Sequence, residues 1–372
     1  MKHYNYLIVG AGLYGSAFAY KAIQRGKTCL VIDRRQHVGG NLRCEEIEGI
    51  TVHAYGPHIF HTSNKRVWDF VNSITPFEPF INAPLARYGN KLYNLPFNMH
   101  TFYQMWGCTK PEQARRIIDR QRQDALNRMQ ADGVTEPRNL EEQALLLVGR
   151  DIYTCLIKGY TEKQWGRPCH ELPAFIIRRL PVRFTYDNNY FNDLYQGIPL
   201  HGYNDFIEEL LKGACIETCA DFFENRGYWE RIADKIVYTG PLDQYFDYQN
   251  GHLEWRSLRF DHSVIPMSDY QGNAIVNYTD KEVPFTRIIE HKHFLRSSSM
   301  TEGKTVITRE YPIENTDTEP YYPINDVRNT KIAECYYKLA HKESHVHFGG
   351  RLAEYKYYDM DKIILKLLTK IE

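Results

Sequence analysis

The spacing of apolar positions changes several times along the chain, and each change predicts a different kind of element. The apolar run Leu7-Ile8-Val9 leads into glycines and then into SAFAYKAIQRG, a helix-compatible stretch. A second apolar run, Thr28 to Ile32, follows at the distance of a β-α-β unit. Thr109-Lys-Pro-Glu112 has the form of a capping box with proline just inside a helix, and helix formers follow it. Asn139-Leu-Glu-Glu142 opens another helical run that Gly149 punctuates. From about 180 to 200, and again from about 253 to 325, short stretches rich in Tyr, Phe, Val and Thr alternate with Asn, Asp, Gly and Pro. Of these, VRFTYDNNYF, AIVNYT and KTVITREY are predicted antiparallel strands. Residues 205–212 read as a helix, and 235–240 as a buried strand ending in glycine. That strand and the segment from His345 onward belong more naturally with the amino-terminal unit than with the sheet.

The first glycines carry chemistry. Gly10, Gly12 and Gly15 have G-x-G-x-x-G spacing between a strand and a helix, the order in which a helix amino end holds a pyrophosphate. Asp33 ends the second strand, where a carboxylate can accept hydrogen bonds from ribose hydroxyls. Gly39 and Gly40, with Asn41 after them, stand where the chain must pass close to something. This Asp-x5-Gly-Gly arrangement resembles amine oxidase-like flavoproteins more than nicotinamide-binding domains, so FAD is expected in preference to NAD.

The expected fold class is mixed α/β: a discontinuous Rossmann-like FAD-binding domain (1–75, 201–250 and 330–372) with a helical insert and an antiparallel β-sheet domain. The insert spans 100–175 and includes a mobile substrate loop; the sheet domain takes 76–99, 176–200 and 251–329. Lys plus Arg (46) balance Asp plus Glu (46), which removes any global field for nucleic acid or an anionic membrane and makes every basic site local. Eight scattered cysteines, with no matched pairs, suit reduced thiols better than a disulfide framework or a zinc site. With no apolar run long enough for a membrane span and no signal-peptide cleavage pattern, a soluble cytoplasmic protein is expected.

Nine separated motifs, among them GAGLYGS, YGPHIFHT, KGYTEKQWG, ELPAFIIRRLPVRFTYDNNYF, PFTRIIEHKHF and GRLAEYKYYDMD, occur in one order along most of the chain. In these the sequence resembles the bacterial UDP-galactopyranose mutases. The resemblance implies a homodimeric flavoenzyme that interconverts UDP-galactopyranose and UDP-galactofuranose, with FAD active only when reduced. In that family N5 of the reduced flavin is thought to form a covalent adduct with the anomeric carbon, displacing UDP, so that no side-chain nucleophile is required. The absence of a G-x-S-x-G elbow and of H-E-x-x-H agrees. No second G-x-G-x-x-G follows a strand, so an external electron donor is expected. The product would supply galactofuranose for cell-surface polysaccharide.

The same resemblance distributes roles. Arg179 and Arg287 match the family's two essential arginines and would grip the diphosphate; any single arginine read alone is a surface or ion-pair residue. Arg178 is the neighbour most easily confused with Arg179. Tyr160 and Trp165 match residues that hold uridine, although aromatics at such positions more often fill a core. The stretch from Trp165 to Arg179 is expected to close over substrate. Tyr190, Tyr322 and Tyr357 match substrate contacts, and Asn82 a sugar-proximal asparagine whose next residue, Ala83, replaces the arginine of relatives. His58 is expected against the flavin and His61 in a structural role; neither is expected to hold a metal, because Pro57 opposes a helix. His291 and His293 alternate as on a strand. Arg256 is expected near the flavin or phosphates, and Gly350, Arg351, Asp359 and Met360 in the segment closing on the FAD, with Met360 opening a final helix. The competing readings are an FAD-dependent amine or polyol oxidase on the same nucleotide domain, which would consume oxygen and ignore UDP, and a non-catalytic flavin sensor.

Overall fold

The computed structural model describes residues 2–177, 180–314 and 319–370. Five strands form an all-parallel sheet in the spatial order Cys215–Thr218, Cys29–Asp33, Tyr4–Val9, Ala233–Tyr238, Val346–Phe348. Such a sheet is covered on both faces, which is why its central strands read as unbroken apolar runs; every residue of Cys29–Asp33 is buried. Alternate side chains divide between two cores. Ile8, Val31 and Val237 pack under the helices Leu13–Ile23, Gly202–Leu211 and Met360–Lys370. Leu7, Leu30, Ile236 and Tyr238 face the other way, onto Phe222, Trp229, Tyr245 and Tyr336. The strand predicted at 235–240 is thus the sheet's fourth, and the helix predicted at 205–212 begins slightly earlier.

A seven-stranded sheet stands beside this unit, ordered Tyr322–Pro323, Trp255–Ile265, Thr305–Glu314, Arg287–Glu290, Ile275–Tyr278, Leu85–Tyr88, Lys91–Asn94. It is antiparallel except where Ile275–Tyr278 runs parallel to Leu85–Tyr88. A third, small sheet joins Phe60–Thr62, Tyr195–Pro199 and Phe77–Pro79. The predicted strand VRFTYDNNYF does not form. Its one β-type pairing among the described residues is the isolated bridge between Phe97 and Val182. Local side-chain acceptors take two of its amides: Asp187 Oδ1 accepts from Asn189 N at 2.9 Å, and Asn189 Oδ1 from Phe191 N at 3.2 Å, while Arg183 N and Tyr190 N donate to the carbonyls of Phe97 and Asn82.

Helices Met99–Trp106, Pro111–Ala131, Leu140–Ile152 and Gly159–Trp165 make up the predicted helical region. The cap read on Thr109–Glu112 is realised one residue later. Gln113 Oε1 accepts the amides of Thr109 and Lys110 at 3.0 and 3.1 Å. Asn139 Oδ1 caps the next helix by accepting from Glu142 N at 3.0 Å. His291 and His293 lie on a 3-10 turn, not a strand, because the strand ends at Glu290.

Candidate functional site

At the carboxyl ends of the parallel strands the chain builds a cradle. Gly10 has φ +103°, and a Cβ there would stand 2.1 Å from Thr239 Oγ1, so only glycine fits this turn. Asp33 is fixed by two amides, Ala11 N to Oδ2 at 2.8 Å and Arg35 N to Oδ1 at 2.9 Å, and each oxygen retains a lone pair for another donor. The backbones of Gly12 and Gly40 nearly touch: a Cβ on Gly40 would lie 3.0 Å from Gly12 Cα. The cavity between them is lined by Gly10, Gly12, Asp33, Gly39, Gly40 and Asn41, and from elsewhere in the chain by His58, Gly350, Arg351 and Met360. Gly15 is not on the wall. It lets the helix pack on the strand, since a Cβ there would meet Gly10 O at 2.0 Å. The Asp359 carbonyl accepts the amides of Lys362 and Ile363, starting the last helix with Met360 on the cavity wall.

Arg35 and Glu319 also line the cradle. The sequence reading missed both, although the Arg34-Arg35 pair directly after Asp33 was a signal. Arg35 Nη2 donates to Glu319 Oε2 at 2.9 Å and to Asn41 Oδ1 at 3.1 Å, while its buried Nη1 has no partner among the described residues. A buried donor without an acceptor, backbones packed too closely for any side chain, and a carboxylate with spare lone pairs together fit a dinucleotide.

Close enough to His58 to act on its charge stands Arg287. Its Nε donates to Glu310 Oε2 at 2.9 Å, and Thr286 Oγ1 donates to Glu310 Oε1 at 3.0 Å; Glu310 is fully buried. The two Nη groups of Arg287 bind nothing among the described residues, so the fork is free for a ligand. Burial opposes its positive charge, but Glu310, Tyr160 and Tyr322 outweigh that and hold Arg287 protonated, well above its ordinary value. Burial pushes the Tyr160 phenol up to about 12, against the pull of Arg287. Burial raises Tyr190, Tyr322 and Tyr357 as well, against the same cation. All four therefore stay neutral hydroxyl donors beside a fixed cation. The rings of Tyr322 and Tyr357 stack with centroids 5.8 Å apart, and Arg351 lies 5.1 Å over the Tyr357 ring.

His58 Nδ1 lies 2.8 Å from Gly56 O, which can only accept, so Nδ1 carries the proton and Nε2 is left as an acceptor. Burial, then the neighbouring His53, Arg351 and Arg287, depresses its pKa to about 3. His61 is structural, with Nδ1 2.6 Å from Asp193 Oδ2 and its ring stacked on Phe191.

Tyr160, Trp165 and Tyr190 share a second, largely apolar pocket with Phe97, Leu156 and Ile177. On its wall both ends of the Gln164 amide and the Asn277 Oδ1 are buried without partners among the described residues. Neither residue was singled out from sequence, where a lone amide carries no signal. The Asn82 carbonyl accepts Tyr190 N at 2.7 Å, which ties Asn82 to this group. Arg256 does not line the cradle. It is buried at the end of the Gly159–Trp165 helix, where its Nε donates to Gln164 O at 3.1 Å. Arg178 and Arg179 lie outside the described residues. Away from these pockets, Asp269, Glu290 and His293 gather within ligating distance of one another. Glu290 there already accepts from Tyr270 N, Gln271 N and Thr305 Oγ1, which marks the group as a staple on a loop. No helix among the described residues is long and apolar enough to cross a membrane.

Comparison with known proteins adds to this geometry. Residues 155–357 match the family described as UDP-galactopyranose mutase, and residues 8–74 the NAD(P)-binding Rossmann-like domain. The chain is 40% identical to a probable UDP-galactopyranose mutase of Klebsiella pneumoniae, over 99% of this chain and 94% of that protein. It is 38% identical to the dTDP-fucopyranose mutase of Escherichia coli, over 96% of this chain and 95% of that protein. A solved structure of reduced UDP-galactopyranose mutase superposes with a TM-score of 0.73 at 14% identity, covering 100% of this chain and 93% of that one. A putrescine oxidase also superposes, with a TM-score of 0.55 at 10% identity, covering 99% of this chain and 98% of that one, so the fold alone does not separate isomerase from oxidase.

Proposed function

Since the chain belongs to the UDP-galactopyranose mutase family, and is an isomerase, we propose that it interconverts UDP-galactopyranose and UDP-galactofuranose with FAD held in the cradle. The observation that carries this reading is the free fork of Arg287, fixed through Nε by Glu310 and electrostatically coupled to His58 of the cradle and to four neutral tyrosines, two of which, Tyr160 and Tyr190, line the Trp165 pocket. The chemistry FAD supplies when bound and reduced is a nucleophilic N5 able to displace UDP from the anomeric carbon.

The protein's part is to hold and release the nucleotide. Tyr160 and Trp165 offer aromatic faces to the base, and the Gln164 amide and Asn277 Oδ1, without partners among the described residues, suit a pyrimidine that presents both donors and acceptors. Negative charge grows on the diphosphate as the glycosidic bond breaks. Arg287 meets it with a preformed cation, and Tyr190, Tyr322 and Tyr357 with hydroxyl donors, so little reorganisation is needed at the moment of reaction. Arg179 is the second cation in this reading. His58, neutral and pinned through Nδ1, presents Nε2 as an acceptor to an N–H or O–H of cofactor or sugar. Asp33, the paired glycines and Arg35 hold the dinucleotide. An external donor would reduce the flavin, and the enzyme would work as a homodimer.

The Escherichia coli relative, a dTDP-fucopyranose mutase almost as similar as the Klebsiella protein, motivates a second reading in which base and sugar differ. Thymidine lacks the ribose 2′-hydroxyl, and a 6-deoxy sugar lacks the 6-hydroxyl. Reduced enzyme given each furanose nucleotide separately, with products resolved by chromatography, decides between them. Conversion of the UDP-galactose form at the higher kcat/KM is expected; preference for the dTDP-fucose form would replace the proposed substrate.

A further inference from the structure

The helix Gly159–Trp165 carries both aromatic walls of the nucleotide pocket, and two cations hold it down without any carboxylate within ion-pair distance among the described residues. Lys163 Nζ donates to Tyr278 O at 2.7 Å and to Phe285 O at 2.9 Å. Arg256 Nε donates to Gln164 O at 3.1 Å.

The acceptors tie this helix to the residues that face the diphosphate. Tyr278 and Phe285 close the turn that leads into Arg287: Tyr278 N donates to Thr286 O at 2.8 Å, and Asn277 pairs with Arg287 across the strands. Arg256 pairs with Tyr322 across the opposite edge of the same sheet. Gly159 seals the helix start against this turn, where a Cβ would stand 2.3 Å from Thr279 O. Gly166, at φ +65°, lets the chain leave the helix across the Arg256 guanidinium, 2.9 Å from a Cβ placed there. Burial lowers the pKa of Lys163 to about 8 and lowers that of Arg256. Keeping two desolvated cations where apolar side chains would pack is unfavourable unless their hydrogen bonds do something specific.

We propose that Lys163 and Arg256 are positioning residues, a pair of clamps that set the spacing between the base-holding aromatics Tyr160 and Trp165 and the diphosphate-holding Arg287 and Tyr322. The proposal rests on the nucleotide-site reading above. A nucleoside diphosphate is bound at both ends, so an error in that spacing weakens the joined ligand.

The test is UDP affinity by titration calorimetry on the FAD-loaded enzyme for Lys163→Met, Trp165→Ala and the double variant, with the flavin absorption spectrum as a check on folding. Lys163→Met is expected to weaken UDP about tenfold, the effect of losing hydrogen bonds from a charged group. In the Trp165→Ala background the same change should add little, because its effect passes through that wall. Unchanged UDP affinity in Lys163→Met, or a full further loss in the double variant, overturns the clamp. Unchanged affinity in Trp165→Ala overturns the nucleotide-site reading itself. Should Lys163→Met not fold, Arg256→Gln runs through the same cycle with the same expected and contrary results.

Discussion

Arg287 and Glu310 stand opposite each other on neighbouring antiparallel strands, joined by a hydrogen bond of 2.9 Å from Nε to Oε2, with the carboxylate wholly buried. The pairing spends the one guanidinium nitrogen that cannot join a bidentate grip through the terminal fork, and leaves the two that can. Arg287→Ala should therefore lower turnover by about 100- to 1000-fold, the scale of losing a preformed oxyanion donor. Rates measured per bound flavin separate this from loss of cofactor. Near-normal turnover would remove Arg287 from the chemistry.

The same pair makes a stability prediction. Glu310→Gln leaves a half-buried cation without its fully buried counter-charge and should lower unfolding free energy by about 2 to 3 kcal/mol, below the roughly 3 to 5 kcal/mol of a wholly buried pair. Thermal or denaturant unfolding of the holoenzyme measures it. A loss below about 1 kcal/mol, the range of exposed ion pairs, would mean that the pair is solvated in the working protein.

Trp165 lies between the apolar pocket and a polar cavity lined by Arg256, and its indole forms a wall of both. Trp165→Ala should raise the Kd for UDP by about tenfold or more while leaving flavin affinity alone, since burying an aromatic face contributes on the order of 1 to 3 kcal/mol. Titration followed by calorimetry, which does not depend on the deleted fluorophore, gives the answer.

His58 supplies a pH signature. Folded, it resists protonation down to about 3, mainly through burial, against an ordinary value of 6.5. The unfolded chain takes up this proton first, so stability falls as pH drops from about 6.5 towards 3; above 6.5 neither state is protonated and the contribution vanishes. The difference in unfolding free energy between pH 7 and pH 5 should shrink by about 2 kcal/mol in His58→Phe, at 1.36 kcal/mol per pKa unit. An equal pH dependence in both proteins would show that the imidazole is solvated.

The cradle was legible in sequence because backbone geometry dictates it. Gly10, Gly39 and Gly40 adopt left-handed backbone angles that favour glycine, Gly12 lies against the Gly40 backbone, and Asp33 must end a strand to reach its amides. Long-range relations were not. Nothing near Arg287 in the chain identifies Glu310, which meets it only through strand register. Gln164 and Asn277 become informative only when their polar atoms prove to be buried and unpaired. The segment VRFTYDNNYF has a strand's aromatic content, but its Asn and Asp side chains satisfy its own backbone and no ladder forms. Arg256 was expected near flavin or phosphates; register places it instead under the Trp165 helix, where it binds a carbonyl.

The most direct test compares one preparation in two redox states. Enzyme reduced with dithionite and given UDP-galactofuranose should form UDP-galactopyranose, resolved by chromatography, while the same enzyme left oxidised should form almost none. Equal conversion in both states, or none in either, would contradict a flavin-dependent isomerisation of this nucleotide sugar.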